Sequence, residues 1–375
     1  MQLRGHWYRG GTSKCWLFAA DDVARLARND EEMLRLLADA FGAADARQLD
    51  GVGGGTSTTS KAAIVTATPN GPADLDYLFA QVGIGDTTVE LGSNCGNCAT
   101  AIALYAVQTG IVAAGDVTTS VRMRNLNTGA VLTGAIATPL RRVPTSGQAR
   151  VPGSAAPGVP VRLSFHAPWG RSTGSLLPTG RAADRLLTGG RSLPATMVDA
   201  GAPAVLVLAT DAHVDLDSMA DGLTGALPRL LDVRAAAGVA MGLREPGSPP
   251  QNAIPKVGLV APAGTYTASH GAVIPVGSHD LRVRMLSMLA PHPAIGLTSA
   301  VAVSAAAAVT GSVVAESLVG AWSPGERRRL RIGTPAGVVT TEVITDEAGN
   351  VIEVVLDRAA RQLATAHIEV ARTVA

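Results

Sequence analysis

The sequence predicts an α+β chain of two similar halves, each a set of strands wrapped around one buried helix. Three observations lead there. A Gly/Asn-rich turn, Leu91-Gly-Ser-Asn-Cys-Gly-Asn-Cys-Ala-Thr100, opens a helix over Ala101–Gly110 that has no polar face. A helix apolar all round is buried all round, and one of about a dozen residues is too short to span a bilayer. A like stretch runs from Ser299 to Val313, where Ala99/Ala300, Ala101/Ala302, Ala106/Ala307, Thr109/Thr310, Gly110/Gly311 and Val112/Val313 match at one constant offset. Two more pairs match in the same order at slightly smaller offsets: Lys61–Ala67 with Lys256–Pro262, and Gly11 with its following strand against Gly201 and Ala204–Leu208. Matches in one order at similar offsets indicate an internal duplication.

Composition agrees. A chain of 375 residues, 47% hydrophobic and 16% charged, supports two domains and a large core. Aromatics are only 3%, so Ala, Val, Leu and Ile must build that core. A net charge of +1 argues against nucleic acid or a membrane surface as partner, and no signal peptide or spanning segment is recognised. Three cysteines do not make a secreted disulfide framework, so the expected compartment is the cytoplasm. Of 31 basic residues only Lys14, Lys61 and Lys256 are lysines, a bias of GC-rich bacterial genomes in which arginine serves as the surface cation.

In chain order, Trp7–Phe18 reads as strand, Gly-rich turn and strand. Asp21 or Asp22 is expected to cap an amphipathic helix with a stripe of Leu26, Met33, Leu34, Leu37 and Phe41, closed by Gly42. Asp50–Lys61 carries glycines, then five hydroxyl residues and Lys61, and is expected to hold Lys61 at the start of a buried strand. Its spacing is not that of a P-loop. Asp74–Val82 reads as a strand. Val121–Asn127 alternates at period two and ends in a turn at Thr128-Gly129. Residues 144–160 form a Pro/Gly/Ser loop before strand Val161–Phe165, and 166–194 is expected to be loop with a short helix near Arg181–Leu187. The second half offers strand Ala204–Leu208, helix between Asp217 and Met241, a loop at Glu245–Pro255, strand Leu281–Met285 and closing strands at Arg329–Ile332 and Val351–Leu356. The expected domains are 1–188 and 189–375, with the last strand free to return to the first.

Unpaired N–H groups and the dipole at the start of each buried helix favour an anion. Cys95 stands at that end, where a thiolate is expected to be stabilised. Cys95 and Cys98 form a C-x-x-C pattern, but no second pair completes a zinc set, so no metal is expected.

Several motifs together resemble the PrpF / 4-oxalomesaconate tautomerase / methylitaconate isomerase family, over about residue 4 to 375. They are Arg9-Gly-Gly-Thr-Ser-Lys14, Asp50–Lys61, Asp76-Tyr-Leu-Phe, Asn94-Cys-Gly-Asn97, Asn125-Leu-Asn-Thr-Gly129, Val198-Asp-Ala-Gly, Pro255-Lys256 and Pro291-His292. The resemblance implies a diaminopimelate epimerase-like fold: two pseudo-symmetric domains, each a barrel-like sheet around a central helix, with the site between them. Cys15 and Cys98 stand where many relatives are expected to carry Gly and Met, and Pro293 follows His292 where a basic residue is expected.

The reaction implied is a cofactor-free 1,3-proton shift that moves a C=C bond in a small unsaturated di- or tricarboxylic or keto acid. Lys61 and Cys95 are the candidate proton carriers. A lysine's ordinary pKa of about 10.4 must fall for it to act as a base near neutrality. Thr12, Ser13, Lys14, Asp76, Asn94, Gly96, Asn97, His292, Thr298 and Ser299 are the candidate substrate contacts. Thr298 and Ser299 replace the second cysteine of the fold's epimerases and are poor acids and bases, which argues against a two-cysteine racemase. No cofactor is expected, the partner is a small carboxylate, and a homo-oligomer is compatible with the sequence. The competing readings are an isomerase of another small unsaturated acid in bacterial secondary metabolism, and a non-catalytic accessory protein.

Overall fold

The computed structural model describes residues 1–92, 95–217, 221–249, 252, 254–320 and 322–371. The chain divides into two compact units, Met1–Leu163 with Asp357–Ala375, and Ser164–Leu356.

In the first unit, Gln2–Gly10 and Ser13–Ala19 form an antiparallel hairpin. Lys61–Ala67 lies parallel to Ser13–Ala19, and Leu75–Val82 antiparallel to Lys61–Ala67. Thr118–Asn125 then runs parallel to Leu75–Val82, and Val131–Ala137 antiparallel to Thr118–Asn125. The other edge of Gln2–Gly10 pairs with the far part of the last strand, Val351–Glu369, with Gln2 opposite Glu369. The second unit repeats this order. Arg191–Ala200 and Ala202–Leu208 are antiparallel, Lys256–Pro262 is parallel to the latter, Leu281–Ser287 antiparallel, Arg327–Thr334 parallel and Gly337–Thr345 antiparallel. The duplication read in the sequence is thus a duplication of strand pairing.

Each unit holds one helix inside its sheet. Gly96–Gln108 touches Gln2–Gly10, Ser13–Ala19, Lys61–Ala67, Thr118–Asn125 and Val131–Ala137. Leu297–Ala307 touches Arg191–Ala200, Ala202–Leu208 and Gly337–Thr345. All of Gly96–Val107 and all of Leu297–Ala307 are buried. Fully buried Ile102 and Leu104 contribute about 1.5–3 kcal/mol each, and the alanines let strands approach. A methyl group on Gly134 would stand 2.4 Å from the Ala103 Cβ, so glycine there sets the strand-to-helix distance. Outer helices cover the opposite faces. Asp30–Phe41 lays Leu36, Leu37 and Phe41 on the cluster that includes Phe18 and Ile64, and Leu227–Ala240 lays Leu230, Val233 and Ala237 on Val205, Val207 and Leu259.

Three expectations are corrected. The first outer helix is not capped by Asp21 or Asp22. A short helix, Ala20–Ala24, precedes it, and Asn29 caps Asp30–Phe41 by accepting the Glu32 N–H at 2.9 Å. Arg181–Leu187 is not helical. Asp184–Thr188 and Arg191–Ala200 form a hairpin whose two-residue loop, Gly189-Gly190, has φ of 55° and 75°. Two successive positive φ values are what such a tight hairpin needs, and only glycine adopts them cheaply. Finally, Gly337–Thr345 is an additional strand, and the last strand runs on to Glu369.

Candidate active site

Lys61 is fixed from both sides. Before it, the loop folds on itself: Ser60 donates its hydroxyl to Gln48 Oε1 (2.6 Å) and its N–H to Thr56 O. The Lys14 N–H donates to Thr58 O at 2.9 Å, which ties this loop to the Gly10–Lys14 turn. After it, the strand is buried. Lys61 lies opposite Gln81 in the antiparallel pair and donates from Nζ to Gln81 Oε1 at 2.5 Å. Gln81 Nε2 donates to Ser60 O (2.9 Å), and the ammonium stands 5.2 Å over the Phe79 ring. Lys14 places its own ammonium 4.5 Å over the Trp7 ring.

At the start of the central helix, Cys95 is the extended residue before Gly96 and is only partly covered, whereas Cys98 and Cys15 are buried. Cys98 neighbours both the Cys95 and the Cys15 thiols. That neighbourhood corrects the thiolate expectation. Its hydrogen bond to Cys98, burial and the neighbouring Cys98 sulfur push the Cys95 thiol well above its ordinary range, against the pull of the Lys61 charge and the Cys98 N–H. Cys95 is therefore a thiol, and it feels Lys61 directly.

Asn97, the second residue of the helix, joins the helix to the glycine turn. Its Nδ2 donates to Thr12 Oγ1 and Ser13 Oγ, each at 3.1 Å, and its Oδ1 accepts from Arg358 Nη2 at 3.2 Å. This approach requires the two glycines. A Cβ on Gly10 would fall 1.9 Å from Asn97 O, and one on Gly11, which has φ +52°, would fall 2.2 Å from Asn97 Oδ1. The second unit repeats the device: Gly201 has φ +66°, and its Cβ would meet Thr298 O at 2.9 Å. Thr298 and Ser299 are buried in the first turn of Leu297–Ala307. His292 lies just before it, accepting the Ala294 N–H at Nδ1 (3.0 Å). His292 also lines a cavity of about 340 Å³ with Arg284, Pro291 and Pro293.

The structure thus brings Thr12, Ser13, Lys14, Lys61, Cys95, Gly96 and Asn97 to one end of the first unit's sheet, and His292, Thr298 and Ser299 to the matching end of the second. Asp76 is placed elsewhere. It lies five positions before Gln81 on the same strand, roughly 17 Å at strand spacing, and is held by Arg124 through hydrogen bonds of 2.8 and 2.5 Å. Asn94 lies outside the described residues. Gln81 and Arg358 were not recognised in the sequence. Register with Lys61 on the paired strand is the signal that points to Gln81. Arg358 has no local signal, because a distant strand delivers it.

Two like units, each enclosing an apolar helix whose first turn meets a glycine turn, are the architecture of the epimerase-like fold. Structures at low identity share the fold: a hydroxyproline epimerase from Agrobacterium vitis superposes with a TM-score of 0.53 at 11% identity, covering 98% of this chain and 92% of that one. The chain belongs to the PrpF family, whose model, described as PrpF protein, matches residues 2–371. It is 34% identical to a (4E)-oxalomesaconate Delta-isomerase of Novosphingobium sp. over 95% of this chain and 94% of the relative. It is 31% identical to a 2-methyl-aconitate isomerase of Shewanella oneidensis over 99% and 97%. The crystal structure of a methylitaconate-delta-isomerase superposes with a TM-score of 0.81 at 28% identity, covering 98% of this chain and 95% of that one. The chain is an isomerase.

Proposed function

We propose that this isomerase moves a C=C bond by a 1,3-proton shift in a small unsaturated di- or tricarboxylic or keto acid of the oxalomesaconate, methylaconitate or methylitaconate type. It does so without a cofactor, in the bacterial cytoplasm. The observation that carries this reading is the placing of Lys61, at the start of a buried strand, and Cys95, at the N-terminus of the buried helix that packs on that strand.

In the reactive form Lys61 is neutral and Cys95 protonated. The Lys61 amine takes a proton from the carbon at one end of the allylic system, and the electron pair left behind delocalises toward the adjacent carboxylate or keto group. The Cys95 thiol delivers its proton to the far carbon, and the double bond has moved. Lys61 is now an ammonium and Cys95 a thiolate, and proton return from one to the other restores the start. The developing negative charge is stabilised by the helix N–H groups of Gly96 and Asn97 and by the hydroxyls of Thr12 and Ser13. Lys14 binds a substrate carboxylate.

The test is incubation of the purified protein with 4-oxalomesaconate, 2-methyl-aconitate and 3-methylitaconate in deuterated water, followed by NMR. The expected result is isomerisation of at least one acid with deuterium at the carbon that gains hydrogen. Failure of all three to isomerise or exchange would overturn this substrate class and point to another small unsaturated acid.

A further inference from the structure

We propose that Arg358 is a positioning residue that turns the Thr12 and Ser13 hydroxyls into hydrogen-bond donors toward the substrate carboxylate. The inference rests on the carboxylate reading above and adds a residue to it.

The argument is one of donor and acceptor capacity. Arg358 is 4% exposed and lies on the last strand behind the glycine turn. A guanidinium only donates. Its Nη2 therefore fixes the end of the Asn97 amide that faces it as the oxygen, at 3.2 Å. The amide nitrogen must then face Thr12 and Ser13, and it donates to both hydroxyl oxygens. Each hydroxyl is thereby used as an acceptor. Among the described residues Asn97 is the hydrogen-bond partner of both, so both hydroxyl protons are available to an incoming oxygen. An Asn97 amide turned the other way would accept those protons itself and present lone pairs to an anion. Arg358 removes that alternative.

The charge balance agrees. Among the described residues no carboxylate pairs with Arg358, and its Nε is buried without a partner. Arg9 adds a second cation nearby, donating to Gly11 O and Pro157 O. Burial, with Arg9 alongside, lowers the Arg358 pKa to about 10. A positive pole kept without a counter-ion at a helix N-terminus suits an anion that arrives with the substrate.

The experiment measures binding of tricarballylate, a saturated tricarboxylate that cannot isomerise, by calorimetry, alongside KM and kcat for whichever acid is turned over. Arg358→Gln, which can both donate and accept, is expected to weaken binding and raise KM about 10- to 100-fold, with kcat changed less. Arg358→Lys only donates and is expected to bind within a few-fold of the wild type. Ser13→Ala is expected to weaken binding, and the Ser13→Ala/Arg358→Gln double variant to lose less than the product of the two single losses, because part of the Arg358 effect passes through the Ser13 hydroxyl. Thermal melts establish that each variant is folded. Wild-type affinity in folded Arg358→Gln, equal losses in the Lys and Gln variants, or independent losses in the double variant would overturn the role of Arg358 alone. A wild type that neither binds tricarballylate nor isomerises any of the three acids would overturn the carboxylate reading and this inference with it.

Discussion

Gly10→Ala adds one methyl group at the contact between the glycine turn and the central helix. The new Cβ would stand 1.9 Å from Asn97 O, 3.0 Å from Asn97 C and 3.1 Å from the Ala101 Cβ. Ordinary contact begins near 3.4 Å, so backbone must yield by about 1.5 Å (3.4 − 1.9). No flexible side chain can absorb this, because the nearest atom is a carbonyl inside a helix buried on every side. Overpacking of this kind costs about 1–3 kcal/mol, or about 1 °C in melting temperature for each kcal/mol in a chain of this size. The effect on turnover should be larger. Thr12, Ser13 and Asn97 move relative to Lys61 and Cys95, and a misplacement of about 1 Å costs on the order of 100-fold in rate. The assay is the isomerisation rate followed by NMR, with circular dichroism for the melt. Gly277→Ala is the control, since nothing lies within 4 Å of its added carbon. Wild-type turnover and melting temperature in Gly10→Ala would refute the geometry on which the site is built.

Two further outcomes are expected. Lys61→Ala and Lys61→Arg should both lose about 10²–10⁴-fold in kcat while staying folded, because a guanidinium cannot shed its proton near neutrality; near wild-type rate in Lys61→Arg would remove Lys61 from proton transfer. Cys95 should alkylate with iodoacetamide more slowly than a free cysteine at pH 7–8, with a rate that climbs only above the ordinary thiol range. Lys61→Met should slow it further at each pH, since the Lys61 charge pulls the thiol pKa down and its loss lets the pKa rise; peptide mass spectrometry reads the site, and fast labelling at neutral pH would contradict the thiol assignment.

The parts of the fold that could be read from sequence are those with local causes. The two central helices are legible because no side of either is polar, and Lys61 because lysine is rare in this chain. Arg181–Leu187 misleads because Ala, Arg and Leu favour helices, yet pairing with Arg191–Ala200 decides the matter. Cys95 misleads for a similar reason. The helix terminus predicts a thiolate, but the neighbouring Cys98 and burial keep the proton on Cys95, and Cys98 in turn neighbours Cys15 on the strand Ser13–Ala19. Asn97 was legible as a motif residue, but its role as a bridge was not, because Arg358 reaches it across 261 positions of sequence.

That distance bears on how the protein is made. The first unit pairs Gln2 with Glu369, and their side chains meet across a separation of 367 residues. During synthesis, Lys61, Cys95 and the glycine turn emerge early, while the strand that completes their sheet is translated after nearly all of the second unit. Contacts this far apart in sequence form slowly, and until they do the edge of Gln2–Gly10 lacks its partner, a template for unwanted strand addition. The residues that would move protons thus wait for the strand that carries Arg358, which ties competence of the first unit to translation of the second.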